Sequence, residues 1–485
     1  MSRLVSLADE ALIAVDTIAG RATSLFTPSV RLGVTGLSRA GKTVFIASLV
    51  HNLVHGGRLP LFDAMKTNRI ARAFLEPQPD DAVPRFQYED HVGALVDQRV
   101  WPDSTRAISE LRLTIDYESA SAWGRWFSSG RLHLDIVDYP GEWLLDLPLL
   151  GKDHTAFSRD AFDLSRSVLR HDLAAEWHAA VEGVENDKPA NEALARQLAE
   201  KFTAYLRACR ADNRALSTLP PGRFLMPGDL DGSPALTFAP LPDLPDSPAK
   251  PGSLRAMMER RYESYKNAVV KPFFREHVAR LDRQIVLVDA MQAMNAGPGA
   301  MLDLERALSE ILPCFRPGSA NPLTALWTRR ISRVLIAATK ADQLHHESHP
   351  RLQAIVRKLV DRSIERAGVS GASVDVLAMA AVRSTREAKA RHDGEELPVI
   401  VGTPLAGEVI DGVTFDGNTE TAIFPGDLPE RADAVFGADG ETVTPLRFVR
   451  FRPPRLERTA EGATLSLPHI RLDRALQFLI GDYLA

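Results

Sequence analysis

RLGVTGLSRAGKTVFIASLV, residues 31–50, sets a glycine-bearing turn between an apolar run and the start of a helical pattern. Gly36-Leu37-Ser38-Arg39-Ala40-Gly41-Lys42-Thr43 fits G-x-x-x-x-G-K-[ST], and Leu32, Gly33 and Val34 ahead of it read as a buried strand. A strand before and a helix after are the setting that makes this pattern a phosphate-binding loop. Glycine lets a row of backbone N–H donors come close to an anion, and the helix from about Thr43 aims its positive end at the same point. In this reading the backbone of Gly36, Ser38, Arg39, Ala40 and Gly41 cradles the phosphates of a nucleotide. Lys42 reaches the β- and γ-phosphates and Thr43 offers its hydroxyl to Mg²⁺. Leu37 stands where the deviant loop of dimerising ATPases carries a second lysine, so the loop takes the ordinary form.

The chain as a whole narrows the class. Its 485 residues allow two or three domains, and 45% hydrophobic residues can build real cores. A net charge of −5 argues against a protein that coats nucleic acid. The two cysteines, Cys209 and Cys314, lie far apart, which suggests neither a disulfide framework nor a zinc cluster and suits a reducing cytosol. No apolar run is long enough for a spanning helix, and Asp9, Glu10 and Asp16 make the first segment unlike a signal peptide. The expectation is a cytoplasmic protein without membrane insertion and without a nucleic-acid partner.

Along the chain the pattern is α/β. Residues 1–28 place Leu4, Ala8, Ala11, Val15, Ile18, Ala22 and Leu25 on one helical face, which we expect to dock on the protein's own body. The first part of a P-loop core spans 29–144, with strands at Leu111 to Tyr117 and Leu132 to Asp138 joined by a reversal around Trp123 to Gly130. Residues 145–283 read as a large helical insertion, with a helix around Asn191 to Ala211 and a proline-rich arm from Pro220 to Pro251. The core resumes over 284–394 with near-continuous apolar strands at Ile285 to Asp289, Val334 to Ala338 and Val374 to Met379. Helices alternate with them, Met301 to Ile311 among these, which is the signature of a mostly parallel sheet covered on both faces. A small β-rich segment follows over 395–457, and 458–485 ends in a helix whose stripe of Leu472, Ala475, Leu476, Leu479 and Ile480 packs on the core.

Three later stretches separate nucleotide classes. Asp138-Tyr139-Pro140-Gly141-Glu142 closes a strand in the D-x-x-G pattern, where Asp138 holds magnesium through water and Gly141 offers its N–H to the γ-phosphate. Thr339-Lys340-Ala341-Asp342 fits [NT]-K-x-D, in which the aspartate accepts two hydrogen bonds from guanine, a pairing adenine cannot offer. Met379-Ala380-Ala381-Val382-Arg383 supplies, at Ala381 and Val382, small-residue backbone N–H groups for guanine O6. Thr105, before the Leu111 strand, is in the position of a mobile threonine that senses magnesium and the γ-phosphate; a solvated turn threonine is the other reading. Glu142 occupies the place of a glutamine that orients the attacking water, and Arg39 is the nearest cation in sequence to offset its charge. A helix-start residue favoured by the dipole is the alternative.

Taken together, Gly36 to Thr43, Asp138 to Trp143, Val286 to Asp289, Thr339 to Asp342, Ala381 to Arg383 and Pro468 to Asp473 resemble the YcjX-like family of bacterial P-loop proteins, over nearly the whole chain. The resemblance implies a Ras-like core with a helical insertion, binding of GTP and GDP, and a stress-associated cytoplasmic protein linked to an inner-membrane partner. The expected activity is slow, Mg²⁺-dependent hydrolysis of GTP by a conformational switch. Two other readings stay open: a P-loop kinase of small molecules with a lid carrying Arg210, Arg214 and Arg223, and a nucleotide-binding scaffold without turnover. The basic stretch Arg447 to Arg455 reads as an edge strand ended by Pro453-Pro454, a grip on nucleic acid or anionic lipid by charge and stacking being the other reading.

Overall fold

The structure, a computed structural model, describes residues 27–37, 39–103, 107–120, 130–212, 218–315, 331–369, 372–392, 395–437, 446–456 and 466–485. The helix expected over 1–28, Ser38, Thr105, Arg214 and the reversal at 121–129 lie outside these residues.

Seven strands form one sheet: β1 (Ser29–Gly36), β2 (Ile70–Glu76), β3 (Ser109–Tyr117), β4 (Arg131–Asp138), β5 (Arg283–Val288), β6 (Arg333–Ala338) and β7 (Ser373–Ala378), in the order β2-β3-β4-β1-β5-β6-β7. From β4 to β7 all neighbours are parallel, with Leu32 opposite Ile136 and Val34 opposite Ile285. Val30, Leu32 and Val34 are fully buried because β1 is central and covered on both faces. The helix Lys42–Val54 and the closing helix Leu472–Ile480 share one apolar cluster with the sheet. Leu472, Ala475, Leu476, Leu479 and Ile480 are fully buried in it. Each fully buried leucine or isoleucine of that stripe contributes roughly 1.5–3 kcal/mol, so a charge at Leu476 would detach the helix.

β2 was not legible in the sequence. It pairs antiparallel with β3 at the sheet edge, only Ala73 on it is buried, and the register shifts between Ile70 and Arg72. An edge strand with one buried side chain and a bulge leaves no alternating pattern to read. Arg72 pairs with Asp116 at 2.7 Å, a charged edge of the kind that resists further pairing.

The β-rich segment begins earlier than 395. β8 (Arg386–His392) and β9 (Glu395–Gly402) form a hairpin, and β9 also pairs with the later strand Thr421–Ile423. The stretch Arg447 to Arg455 is not the expected edge strand. It makes a single bridge, Phe451 to Pro404, with Leu405 N–H donating to Arg450 O and Arg452 N–H to Thr403 O. Pro404 has no N–H to extend the ladder. Val449 and Phe451 instead fill a small core with Ile400 and Ile423, and Glu408 and Asp411 pair with Arg450 and Arg447 at 2.6 and 3.1 Å.

By their contacts the described residues fall in two units: 141–280 with 296–315, and the remainder, which holds the sheet. The helix Pro298–Ile311, expected within the core segment 284–394, therefore belongs to the helical unit. The same unit holds His154–Ser165, Glu192–Ala211 and Leu254–Tyr265. Each of those three starts on a side-chain cap: Asp153, Asn191 and Ser253 accept from Ala156, Leu194 and Ala256 N–H. Between them lies an aromatic core in which Phe157 stacks on Tyr262 and Trp177 on Tyr205 at 5.1 and 5.3 Å. The proline-rich arm joins this core through Phe224 and Phe238, both buried. Among the described residues no helix is long and apolar enough to cross a membrane.

Candidate functional site

The sheet order brings the separate motifs to one edge. The phosphate loop follows β1, Asp138 ends β4, Asp289 follows β5, Thr339 to Asp342 follow β6, and Ala381 and Val382 follow β7. These five strands are consecutive neighbours and parallel, so their carboxyl ends share one rim, where open α/β sheets bind ligands.

At the loop, Arg39 and Gly41 take left-handed backbone angles, φ 63° and 87°. A Cβ on Gly36 would stand 2.5 Å from Leu287 O, so glycine is needed where the loop leaves β1 against β5. On Gly41, by contrast, a Cβ would meet nothing within 4 Å: the loop faces open space. Ala40 is buried beneath it and Arg39 is exposed. Lys42 is buried, with Nζ 3.4 Å from Gly36 O. Thr43 is also buried, and its hydroxyl donates to Asp103 O at 3.4 Å, which sets the chain two residues ahead of Thr105 against the start of the helix. Asp138 is buried at the end of β4, opposite Val34 of β1. Left-handed turns with open space before them, an ammonium, a hydroxyl and a buried carboxylate make a donor set that fits a phosphate chain with an oxygen-seeking dication.

At the other end of the rim, Thr339 sends both N–H and hydroxyl to Val288 O, at 2.9 and 3.4 Å. Lys340, at φ 60°, pairs with Asp289. Asp342 is buried, and its Oδ2 accepts from Ser384 N–H and Ser384 Oγ–H at 2.9 and 2.5 Å. Burial pushes the Asp342 carboxyl above the usual carboxylate range, while the Ser384 bonds pull it back. The turn after β7 is pinned on both sides: Ala380 and Arg383 N–H donate to Ile470 and Pro468 O, which absorbs part of the Pro468 to Asp473 stretch. Ala381 O accepts from Ser48 Oγ–H at 2.6 Å, tying this turn to the helix that follows the phosphate loop. Ser384 escaped the sequence reading because it belongs to no fixed-spacing pattern; it lies 42 residues from the aspartate it orients.

Gly141 and Glu142 belong to the helical unit, although the sequence placed them in the core through residue 144. Glu142 is 4% exposed, and its Oε1 lies 3.0 Å from Nη2 of Arg210, in the last turn of Glu192–Ala211. Within this unit the cation beside Glu142 is Arg210. The sequence offered Arg210 only as a lid arginine and not as the partner of Glu142, because one arginine near a helix end reads like any solvated arginine. The following segment is clamped by the proline-rich arm. A Cβ on Gly222 would stand 1.9 Å from Glu142 O, and the Arg223 guanidinium lies 3.2 Å from the Trp143 ring centre. Asp146 accepts from Gly222 N–H, Arg223 N–H and Tyr265 O–H at 2.7, 3.2 and 2.6 Å. Burial nevertheless pushes its carboxyl up to about 6.

Comparison with known proteins shows the family. A protein of Escherichia coli (strain K12) named Ras-like GTPase YcjX is 36% identical over 467 residues, covering 94% of this chain and 96% of its own. A protein of the same name from Shewanella oneidensis is 32% identical over 473 residues, covering 94% of each chain. The sequence model of the YcjX-like family, DUF463, matches residues 30–484, from β1 to the last turn. With loop, sheet order and closing helix all inside that match, the chain belongs to the YcjX-like family.

Proposed function

We propose that the chain binds GTP with Mg²⁺ and hydrolyses it slowly to GDP and phosphate, changing conformation with the nucleotide it holds. The observation that carries this reading is the row of motifs on the carboxyl ends of five neighbouring parallel strands, with Asp138 at one end and Ala381 and Val382 at the other. The name Ras-like GTPase, borne by relatives across 94% of the chain, supports it. Bound Mg²⁺ supplies neutralising charge to the phosphates. Lys42 and the N–H groups from Gly36 to Thr43 hold the phosphate chain, Thr43, Thr105 and Asp138 are the residues that would hold the cation, and Gly141 N–H meets the γ-phosphate. Asp342, oriented by Ser384, accepts the guanine N–H groups, and Lys340 with the Ala381 and Val382 backbone completes the base site. Glu142 accepts a hydrogen bond from the attacking water but has no proton to donate to the γ-phosphate, so turnover is slow. The kinase reading weakens, since a small-molecule kinase has no use for the Thr339 to Asp342 motif.

Competition binding on the full chain tests the proposal. GTP and GDP should displace a labelled guanine nucleotide while ATP does not, and Lys42→Ala should abolish tight binding with the fold retained by circular dichroism. Preference for ATP, or unchanged affinity in Lys42→Ala, overturns it. Single-turnover assays then separate the switch from a scaffold, which would release no phosphate.

A further inference from the structure

We propose that His345, His346 and Glu387 form a binding site for a transition-metal dication of the zinc class, with Glu347 beside His345 as the group that holds its ring. The site lies in the sheet unit, at the turn between β6 and the helix His349–Val369 and on β8, and it stands apart from the nucleotide reading.

The donors converge from two elements. One ligand atom from each of His345, His346 and Glu347 lies within 4.8 Å of the others. Glu387, 40 or more residues later in sequence, brings its Oε2 to 2.6 Å from His346 Nδ1 and 3.9 Å from His345 Nε2. Tetrahedral zinc with bonds of about 2.0–2.1 Å holds its ligand atoms roughly 3.4 Å apart. The cluster therefore needs shifts of about an ångström, and the exposed side chains of His346 and Glu347 are free to make them. The His346–Glu387 hydrogen bond would be exchanged for two metal bonds.

His345 gives the independent sign. Its side chain is 7% exposed, and Nδ1 is buried with no hydrogen-bond partner. An unsatisfied buried polar atom costs roughly 1–3 kcal/mol and asks for an explanation. A metal on Nε2 supplies one: it would hold the ring so that Nδ1–H faces Glu347 Oε1, now 3.9 Å away, giving the carboxylate–histidine–metal arrangement of known sites. On the far side, Arg383 lies 3.3 Å from Glu387 Oε1 and would keep Oε2 turned toward the histidines. Two imidazoles with one carboxylate favour zinc over Mg²⁺ or Ca²⁺, which seek all-oxygen shells. The metal would also brace the base end of the rim, because Ser384 and Thr385, just before Glu387, are the residues bonded to Asp342.

The test uses the full chain, stripped with chelator and titrated with Zn²⁺ in excess Mg²⁺ by calorimetry, and with Co²⁺ by visible absorption. One Zn²⁺ per chain and the d–d bands of tetrahedral Co²⁺ are expected. His346→Ala and Glu387→Gln should each weaken Zn²⁺ at least about tenfold. His346 is exposed, so that variant folds even if removal of the buried His345 does not; metal-free melting curves check this. No stoichiometric Zn²⁺ uptake, or an affinity in both variants equal to that of the wild type, overturns the site.

Discussion

Glu142 and Arg210 show how one ion pair can set the behaviour of a residue. Glu142 is buried while Arg210 keeps 29% of its side chain exposed, so the pair is partly screened. Removing Arg210 leaves a buried carboxylate without its cation. Arg210→Ala should therefore destabilise the helical unit by about 1–3 kcal/mol, and pairing it with Glu142→Gln should return most of that loss, as read from urea midpoints. An additive double mutant would mean that the two side chains are not coupled. Glu142→Gln alone bears on the proposed hydrolysis. An amide can both accept from water and donate to a phosphate oxygen, so single-turnover GTP hydrolysis should speed up; a rate at or below the wild type would remove Glu142 from the water's surroundings.

At the scale of elements, the proline-rich arm is a clamp. Its turn Gly222–Phe224 closes on the backbone of Glu142 with no room for a Cβ, and its N–H groups end on Asp146. Gly222→Ala should cost the helical unit more than about 3 kcal/mol, because backbone on both sides must move. Gly232, in the same arm at φ 77° with nothing within 4 Å of a Cβ, is the control. There the substitution should cost only about 1–2 kcal/mol, from the left-handed backbone alone. Equal urea midpoints for the two variants would show that the arm yields freely at Gly222. That prolines lined this arm was visible in the sequence; what they hold in place was not, since an irregular loop has no period from which its contacts can be read.

For the whole molecule, two buried groups of the helical unit oppose each other in their response to pH. Burial pushes His154 down to about 4, with Nε2–H donating to Ala239 O at 3.0 Å. The unfolded chain takes up a proton there first, so this group's contribution is lost as pH falls from about 6.5 to about 4, by roughly 3 kcal/mol. Asp146, raised from 3.8 to about 6, acts in the other direction: its contribution is present below about 4 and lost as pH rises through about 6. The wild type should show little net slope from these two between pH 4 and 6. In urea titrations His154→Phe should become less stable as pH rises across that window, and Asp146→Asn less stable as pH falls. Identical slopes in both variants would contradict the assignment. Taken over the chain, the sequence by itself determined the glycine-bearing turn between β1 and its helix, most strands of the sheet, the helix Asn191 caps and the closing helix. Each of these depends on glycines, caps or apolar periods within one local stretch, where backbone chemistry acts over a few residues. Only the tertiary structure decided that Ser384 orients Asp342, that Arg210 faces Glu142, that Pro298–Ile311 packs with the helical unit, and that β2 lines the sheet edge. Those are pairings between distant segments, selected by burial and charge once the chain has folded, and no local pattern encodes which distant partner an arginine, a serine or a weakly buried strand will meet.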